Sequence, residues 1–489
     1  MFKKSLLLVV VSFLLISLTS CMAKNSNMDW AAPNYYPADE NTESYLELEE
    51  QGFINTSDNN KVNVSLDSST ASYSNLRRII KDGGTIYKDM VNIEQMLNYF
   101  NYSYVNDTND VLTSFLELGT CPWNNNNKLL SVALKAKDFE LNKNTRNNFV
   151  FLLDVSGSMY SEDKLPLMVE AFKLLIDSLN DTDRISIVTY ASGDAVLLDG
   201  GFGYEKTKIS AIISDLEASG STAGSKGIKT AYALAEKHFI EGGNNRVFLA
   251  TDGDFNVGIS SIDGLEEFIS KKRETGVYLS LFGFGSGNLK SSTMDTLASA
   301  GNGNYYYIDS ILEAQKVFIS ELGGTLQTVA KDAKAQVEFN KDVVEKYRVI
   351  GYENKILTDE EFDNNETDAG EIGAGHTVIC LIEVVLKDEV LNSDEFIAKT
   401  TLRYKDVLDS ELNKEVVTTC NKVSTKLSKD FIFASAVAEF GLLLRDSQYK
   451  GNASYDSILE RVNNGKYTVD IYKKEFCDLV LMMKDRNEQ

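Results

Sequence analysis

Between Asn148 and Leu322 the chain alternates short, continuous apolar runs with longer segments that carry apolar residues at helical spacing. Continuous apolar runs are typical of strands buried on both faces, and amphipathic segments between them are typical of crossover helices. The pattern therefore predicts a doubly wound α/β domain with a mainly parallel sheet over residues 146–325. The predicted strands are Phe149–Leu153, Arg184–Tyr190, Arg246–Ala250, Val277–Phe282 and Tyr305–Ile308, and the predicted helices are Asp163–Leu179, Lys226–Phe239, Ile262–Glu274, Leu289–Ala300 and Ile311–Leu322.

The two segments that flank this domain have a different pattern: the first carries two short helical patterns and one alternating strand, and after Thr325 the chain reads as strands of an antiparallel sheet. Because neither flank contains enough strands for a closed core, we expect both to form one β-rich domain into which the α/β domain is inserted. The last part of the chain is predicted to be helical, and Asp359–Glu371 is predicted to be a solvated acidic loop. The predicted flanking strands are Leu130–Leu134, Ala335–Phe339, Tyr347–Tyr352, Val378–Leu386 and Ala398–Tyr404, and the flanking helices are Ser74–Ile80, Val91–Phe100, Phe431–Leu444 and Tyr472–Met483.

The N-terminus carries two lysines and then an almost unbroken apolar run from Leu6 to Leu18. This run is shorter than the ~20 residues that a bilayer span needs, and the pattern is typical of a secretory signal peptide. The run ends in Leu18-Thr19-Ser20-Cys21, which resembles the lipobox of bacterial lipoproteins. The resemblance implies removal of residues 1–20, lipidation of Cys21 and anchoring to a membrane of the bacterial envelope. Cleavage of an ordinary secretion signal near Ala23 is the alternative, and residues 21–43 are predicted to be a flexible tether.

Composition narrows the class of protein further. The chain has 489 residues, of which 43% are hydrophobic and 25% charged, as in globular proteins. Its net charge of −23 excludes the basic surface that binding to nucleic acid requires, so we expect no nucleic-acid partner. After Cys21 the cysteines lie far apart without a Cys-x-x-Cys pair, so their spacing argues against a zinc site. The spacing leaves open whether these cysteines form disulfides. These cysteines are Cys121, Cys380, Cys420 and Cys477.

Candidate chemistry follows the first predicted strand of the α/β domain, where the chain reads Asp154-Val155-Ser156-Gly157-Ser158. One carboxylate and two hydroxyls at alternate positions of an extended turn can face a single point. In doubly wound sheets, ligands bind at the carboxyl ends of the strands. Two further oxygen-bearing residues share this setting: Asp252 follows another predicted strand, and Thr222 lies in a Gly-rich loop before a helix. All-oxygen ligation suits a hard cation such as Mg²⁺.

Together, Asp154, Ser156, Ser158, Thr222 and Asp252 resemble the metal-ion-dependent adhesion site of von Willebrand factor type A domains. The resemblance implies a bound Mg²⁺, or alternatively Mn²⁺ or Ca²⁺. It also implies direct ligation by Ser156, Ser158 and, in the ligand-bound state, Thr222. Asp154 and Asp252 would act largely through water or from behind the direct ligands. Such a site completes the shell of the cation with an Asp or Glu carboxylate of a protein partner, so the resemblance implies metal-dependent protein binding.

The flanks carry a second resemblance. Ala71–Arg78, Asn98–Phe100 and Cys121–Trp123 resemble an N-terminal module found beside this domain in bacterial lipoproteins, and Asp368–His376 and Phe440–Ser447 resemble its C-terminal partner. The resemblance covers about residues 44–486. It indicates the domain architecture more firmly than the biological role. The resulting segments are the signal peptide 1–20, the tether 21–43, the N-terminal module 44–145, the α/β domain 146–325, the β-rich flanking domain 326–427 and the helical segment 428–489.

Two other functional classes fit parts of the pattern. A metal-dependent hydrolase or phosphatase of the haloacid-dehalogenase type needs a second aspartate two residues after Asp154, where this chain has Ser156. With only two histidines, no Ser-His-Asp or Cys-His arrangement is visible. The loop Gly283–Gly287 lacks the full G-x-G-x-x-G and is predicted to be a strand-to-helix turn.

The other functional class is a structural envelope protein with a non-functional site. We therefore expect a non-enzymatic, metal-dependent adhesion or scaffold lipoprotein.

Overall fold

Three β-sheets organise the part of the chain that the computed structural model describes. The described residues are 42–66, 69–138, 146–220, 226–253, 261–321, 328–387, 396–409, 412–465, 467 and 470–488. Among them, no helix has both the length and the apolar character that crossing a bilayer requires. The predicted signal peptide, Cys21 and the tether up to residue 41 lie outside the described residues, and so does Thr222.

The N-terminal flank supplies strands to two of the three sheets. Its elements are β1 (Ile54–Asn55), β2 (Lys61–Ser65), α1 (Ala71–Lys81), α2 (Ile93–Asn98), β3 (Leu112–Thr120) and β4 (Lys128–Ala136). The sequence pattern predicts α1, α2 and β4 but misses the first three strands. The strand β2 has only two apolar residues, and it is stabilised by pairing with a strand that lies more than two hundred residues later in the chain. Such a distant partner leaves little local signal.

The α/β domain contains one six-stranded sheet in the order β10-β9-β8-β5-β6-β7. All neighbouring pairs are parallel except β6 and β7, which confirms the predicted mainly parallel, doubly wound sheet. The pattern misses β7 because only three of the nine residues of this edge strand are buried. The elements are β5 (Asn147–Asp154), α3 (Leu165–Ser178), β6 (Arg184–Tyr190), β7 (Asp194–Phe202), α4 (Lys206–Ser214), α5 (Gly227–Lys237), β8 (Asn244–Thr251), α6 (Ile262–Arg273), β9 (Val277–Phe284), α7 (Ser291–Ala300), β10 (Tyr305–Ile308) and α8 (Ile311–Gln315), which continues as a π-helical turn Lys316–Glu321.

Alternate side chains of β5 enter two separate cores, one on each face of the sheet. Phe149 and Phe151 pack with Phe172 of α3 on one face. Val150 and Leu152 pack on the other face in the core that contains α5, α6 and α7. Because both faces are covered, every strand position needs an apolar residue, and this explains the continuous apolar run that predicts β5.

The C-terminal flank begins with strands and ends with helices, as predicted. Its elements are β11 (Thr328–Phe339), β12 (Val344–Ile350), β13 (Ile356–Leu357), α9 (Asp359–Asp363), β14 (Gly370–Gly373), β15 (Thr377–Leu386), β16 (Ala398–Asp406), β17 (Leu412–Cys420), α10 (Lys429–Leu444), α11 (Tyr455–Gly465) and α12 (Ile471–Asn487). The predicted acidic loop Asp359–Glu371 is partly wrong, because it contains α9 and the start of β14. The Thr358 hydroxyl accepts from the Glu361 N–H at 3.2 Å, and acidic residues in the first turn favour this short helix.

Strands from both flanks interleave in two antiparallel sheets, of order β1-β12-β15-β4-β3 and β13-β2-β11-β16-β17, with β14 paired to β11. The strand β4 pairs with β15, and β2 pairs with β11. The two flanks therefore share one β-rich domain, which confirms the predicted insertion of the α/β domain. A common apolar core includes Val64, Val132 and Val337, and a second core packs α2 and α10 against the opposite face of β4 and β15.

Candidate functional site

The predicted site lies where the strand order of the α/β sheet reverses. The strand β5 pairs with β6 on one side and with β8 on the other, and all three strands are parallel. The chain leaves β5 towards one side and later returns on the other, which opens a crevice at the carboxyl ends of β5 and β8. Asp154 is the last residue of β5, and Asp252 directly follows β8. Parallel pairing therefore brings these two carboxylates to the same edge of the sheet.

Asp154 is fully buried, and both of its carboxylate oxygens accept hydrogen bonds. The Ser156 N–H donates to Oδ1 at 2.9 Å, and the Thr251 hydroxyl donates to Oδ2 at 3.2 Å. Burial raises the pKa of Asp154 to about 6 in spite of these bonds, and the neighbouring Asp252 carboxylate contributes to the rise. Two carboxylates crowded at one buried edge favour the binding of a cation there.

The two serines of the turn place their hydroxyls side by side. Ser156 is buried and precedes a 3₁₀ turn, Gly157–Tyr160, while Ser158 in that turn is exposed. The Oγ atoms of the two serines are 3.0 Å apart. Ser158 also hydrogen-bonds the Asp252 carboxylate. The turn therefore presents a pair of adjacent neutral oxygens, one of which is open to the surface.

Asp252 is held by a residue that no sequence motif marks. The Lys164 ammonium donates to Asp252 Oδ2 at 2.9 Å and to the Asn288 side-chain oxygen at 3.1 Å. Burial of Asp252 opposes its ionisation, but the Asn288 amide, the Lys164 ammonium and the Ser158 hydroxyl outweigh it and hold the pKa of Asp252 below its usual value. In the sequence Lys164 is only one lysine at the start of a predicted helix, so no local signal marks its role.

Thr222 and Cys21 lie outside the described residues. The described end of the loop that leads to Thr222 is joined to the Asp-x-Ser-x-Ser turn by two backbone hydrogen bonds. The Gly157 N–H donates to the Gly220 carbonyl at 3.0 Å, and the Ser219 N–H donates to the Val155 carbonyl at 2.8 Å. The described part of the predicted set therefore consists of Asp154, Ser156, Ser158 and Asp252, which the fold brings together.

These donors fit a hard cation. The site offers two hydroxyls and two buried carboxylates, only oxygen atoms, which is the donor set that Mg²⁺ prefers. Within the described ranges, no cluster of three or more His, Cys, Asp or Glu residues could hold a metal ion. The described donor set for a cation here combines two neutral hydroxyls with two carboxylates.

The cysteines of the described residues take no part in this site. Cys121, Cys380, Cys420 and Cys477 are free thiols, the first three of them buried. Burial raises the pKa of Cys477 to about 11, so its thiolate is scarce at neutral pH. The structure therefore favours structural thiols over disulfides among these four residues.

Comparisons with known protein families match three successive parts of the chain. The family described as "von Willebrand factor type A domain" matches residues 148–319, which are the α/β domain. The family "von Willebrand factor" matches residues 39–131. The family "Uncharacterized protein YfbK, C-terminal" matches residues 324–485. Each of the segments that meet in the described fold thus has its own family match.

Similarity to individual proteins extends over most of the chain. The uncharacterized protein YfbK of Escherichia coli (strain K12) is 38% identical over 468 residues, which cover 91% of this chain and 81% of that protein. The uncharacterized protein sll0103 of Synechocystis is 23% identical and covers 58% of this chain and 67% of its own length. Among solved structures, the von Willebrand factor type A protein from Catenulispora acidiphila has a TM-score of 0.42 at 16% identity, covering 75% of this chain and 90% of that chain.

Proposed function

Since this chain belongs to the family of YfbK and contains a von Willebrand factor type A domain, we propose that it is a metal-dependent protein-binding lipoprotein of the bacterial envelope. The domain by itself supports a protein-binding or adhesion role. The finer proposal is that a divalent cation at the site of Asp154 receives an Asp or Glu carboxylate of a protein partner, without turnover.

The observation that carries this proposal is the convergence of Asp154, Ser156, Ser158 and Asp252 at one edge of the sheet. The adjacent hydroxyls of Ser156 and Ser158 would hold the cation, together with Thr222. Asp154 and Asp252 would supply negative charge and accept hydrogen bonds from water. Bound Mg²⁺ would supply an electrophilic centre for a carboxylate. Because Ser158 lies at the surface, a partner can reach this edge of the sheet.

Thermal unfolding of the full chain, purified in detergent, tests the metal part of the proposal. A ligand that binds only the folded state stabilises it by about 2.7 kcal/mol at about 100 times its Kd. We therefore expect Mg²⁺ or Mn²⁺ to raise the Tm of the wild type, and we expect no rise in Asp154→Asn.

A matched control is Asp183→Asn. Asp183 is also buried in the α/β domain, but it lies before β6 at the opposite edge of the sheet, where it accepts from the Asn147 N–H at 2.9 Å. This variant is expected to unfold more easily yet keep its full response to the metal. A wild type that ignores both cations, or an Asp154→Asn variant that responds as the wild type does, would contradict the proposal.

Capture from envelope extract tests the partner part of the proposal. We expect the wild type to retain a partner in Mg²⁺, and we expect release by a chelator or by excess acetate, because acetate competes for the same position. Asp154→Asn should retain no partner. Hydrolysis of p-nitrophenyl phosphate that disappears in Asp154→Asn would instead support the hydrolase class.

The lipid anchor is a separate part of the proposal, supported by the lipobox-like Leu18-Thr19-Ser20-Cys21. Labelling of growing cells with a radioactive fatty acid is expected to mark the wild-type protein and to spare Cys21→Ser. Cys477→Ser is the control, because it removes a thiol that lies in the folded part of the chain. Equal labelling of wild type and Cys21→Ser, or no labelling of either, would contradict a lipid anchor at Cys21.

A further inference from the structure

We infer that Lys164 is a positioning residue that balances the charge of Asp252 and keeps this carboxylate from becoming a direct ligand of the cation. The inference rests on the proposed function, since it concerns how the same site is tuned. As a consequence, the site binds its cation less tightly, but the metal-loaded site has a higher affinity for a carboxylate of the partner.

The geometry places the lysine head group inside the site. Lys164 is 8% exposed, and its ammonium spans Asp252 Oδ2 at 2.9 Å and the Asn288 side-chain oxygen at 3.1 Å. Lysine is almost never buried unless it is paired, so the ion pair accounts for its position. The backbone of Lys164 immediately precedes α3, and its carbonyl accepts from the Met168 N–H at 2.8 Å. The start of the helix thereby anchors the side chain.

A glycine in a neighbouring loop makes room for this side chain. Gly285 has a φ of +73°, and a Cβ added there would lie 2.2 Å from Lys164 Cγ. The same loop contributes Asn288, the second acceptor of the ammonium. The Gly-rich sequence after β9, which has no place in the proposed adhesion site, therefore has a function in the fold: it lets the lysine stem pass and then binds its head group.

Charge explains why this contact matters. Asp154 and Asp252 bring two buried carboxylates to the site, and the ammonium of Lys164, 2.9 Å from Asp252 Oδ2, balances the charge of one of them. With a divalent cation bound, the group carries a net positive charge instead of being neutral. A site with net positive charge attracts the incoming carboxylate of a partner. The ammonium of Lys164 also repels the metal cation itself. Lys164 therefore lowers the affinity for the metal and raises the affinity of the metal-loaded site for an anion.

A merely structural role is the competing explanation, in which the ion pair only fastens α3 to the end of β8. The two explanations make opposite predictions for the metal. Loss of a structural brace loosens the site and weakens cation binding. Loss of the opposing charge strengthens cation binding, because Asp252 then acts with its full negative charge. Binding of Mg²⁺, measured without any partner, separates them.

The experiment is a calorimetric titration of the full chain in detergent with Mg²⁺, comparing wild type, Lys164→Met, Lys164→Gln and Asp154→Asn. Lys164→Met removes charge and hydrogen bonds, whereas Lys164→Gln keeps a hydrogen-bond donor. We expect both Lys164 variants to bind Mg²⁺ about tenfold more tightly than the wild type. We also expect 50 mM acetate, compared with chloride at equal ionic strength, to stabilise the Mg²⁺-loaded wild type more than either variant.

A second variant guards against a folding defect in the Lys164 substitutions. Gly285→Ala forces the lysine stem aside without removing either charge, and it should shift Mg²⁺ affinity in the same direction by a smaller factor. Unchanged or weaker Mg²⁺ binding in the folded variants overturns this inference and leaves the proposed function standing. If the wild type does not bind Mg²⁺, or binds it as tightly as Asp154→Asn does, both this inference and the proposed function are overturned.

Discussion

Arg77 of α1 and Asp309, directly after β10, form a two-point ion pair that joins the flanking domain to the α/β domain. The Arg77 Nε donates to Asp309 Oδ2 at 2.7 Å, and a second guanidinium nitrogen donates to the other oxygen. The same guanidinium contacts Glu313 at 2.7 Å and Glu475 at 2.9 Å. Arg77 is 1% exposed, so one buried guanidinium forms ion pairs with three carboxylates from two parts of the fold.

Removal of this cation is expected to destabilise the protein strongly. Arg77→Met leaves Asp309 and Glu313 buried without their main counter-charge, and breaking a buried pair in this way typically costs about 3 to 5 kcal/mol. Urea unfolding followed by circular dichroism measures the loss. Lys81→Met is the control, because Lys81 pairs with the same Glu475 but is 45% exposed, and exposed pairs contribute about 0 to 1 kcal/mol. Equal losses in the two variants would contradict the prediction.

A buried carboxyl in β14 predicts a pH-dependent loss of stability. Neither oxygen of Glu371 has a hydrogen-bond partner among the described residues, and burial raises the pKa of Glu371 from 4.5 to about 8. Between these values the folded state binds more protons than the unfolded state. The free energy of unfolding therefore falls as the pH rises through this window.

Glu371→Gln removes the titration, and we expect it to unfold less readily than the wild type at pH 8 by roughly 1 to 3 kcal/mol. The difference should shrink as the pH is lowered towards 5, where the wild-type carboxyl is protonated when folded. Glu366→Gln, at an exposed position of the same segment, should show no such trend. Urea unfolding at several pH values measures it, and a constant difference between Glu371→Gln and wild type would show that Glu371 is ionised in the fold.

The close contact between α10 and α2 predicts that replacing a glycine of α10 with alanine destabilises the protein, although alanine favours helix formation. In α10, a Cβ added at Gly441 would lie 2.7 Å from Ile93 Cγ1 of α2. Alanine is favoured over glycine in a helix by about 1 kcal/mol, but overpacking of a core costs about 1 to 3 kcal/mol. We expect Gly441→Ala to lower the Tm, and we expect the additional change Ile93→Ala to cost less in that background than alone.

The control for this contact is Gly193→Ala, because a Cβ at Gly193 meets no atom within 4 Å. That variant should leave the Tm nearly unchanged. A higher Tm in Gly441→Ala than in the wild type would mean that α2 and α10 can move apart without loss.

Local sequence determined much of the α/β domain. The strands Arg184–Tyr190 and Tyr305–Ile308 have the bounds that the pattern predicts, because strands buried on both faces need a continuous apolar run. The amphipathic helices between them carry a similarly local signal. The Asp-x-Ser-x-Ser turn is also local, so the sequence alone is sufficient to predict a cluster of oxygen atoms after β5.

Long-range pairing determined the rest. The strand Lys61–Ser65 has little apolar character and exists because β11 and β13 supply its hydrogen bonds. Lys164 and Asp252 are 88 positions apart in the chain, and the loop that admits the lysine comes later still. A sequence pattern predicts which residues are buried and which lie in turns. The partner of a buried charge, however, depends on which strands lie side by side in the fold. The sequence therefore determined the candidate oxygen donors, and only the tertiary structure decided the charge balance around them.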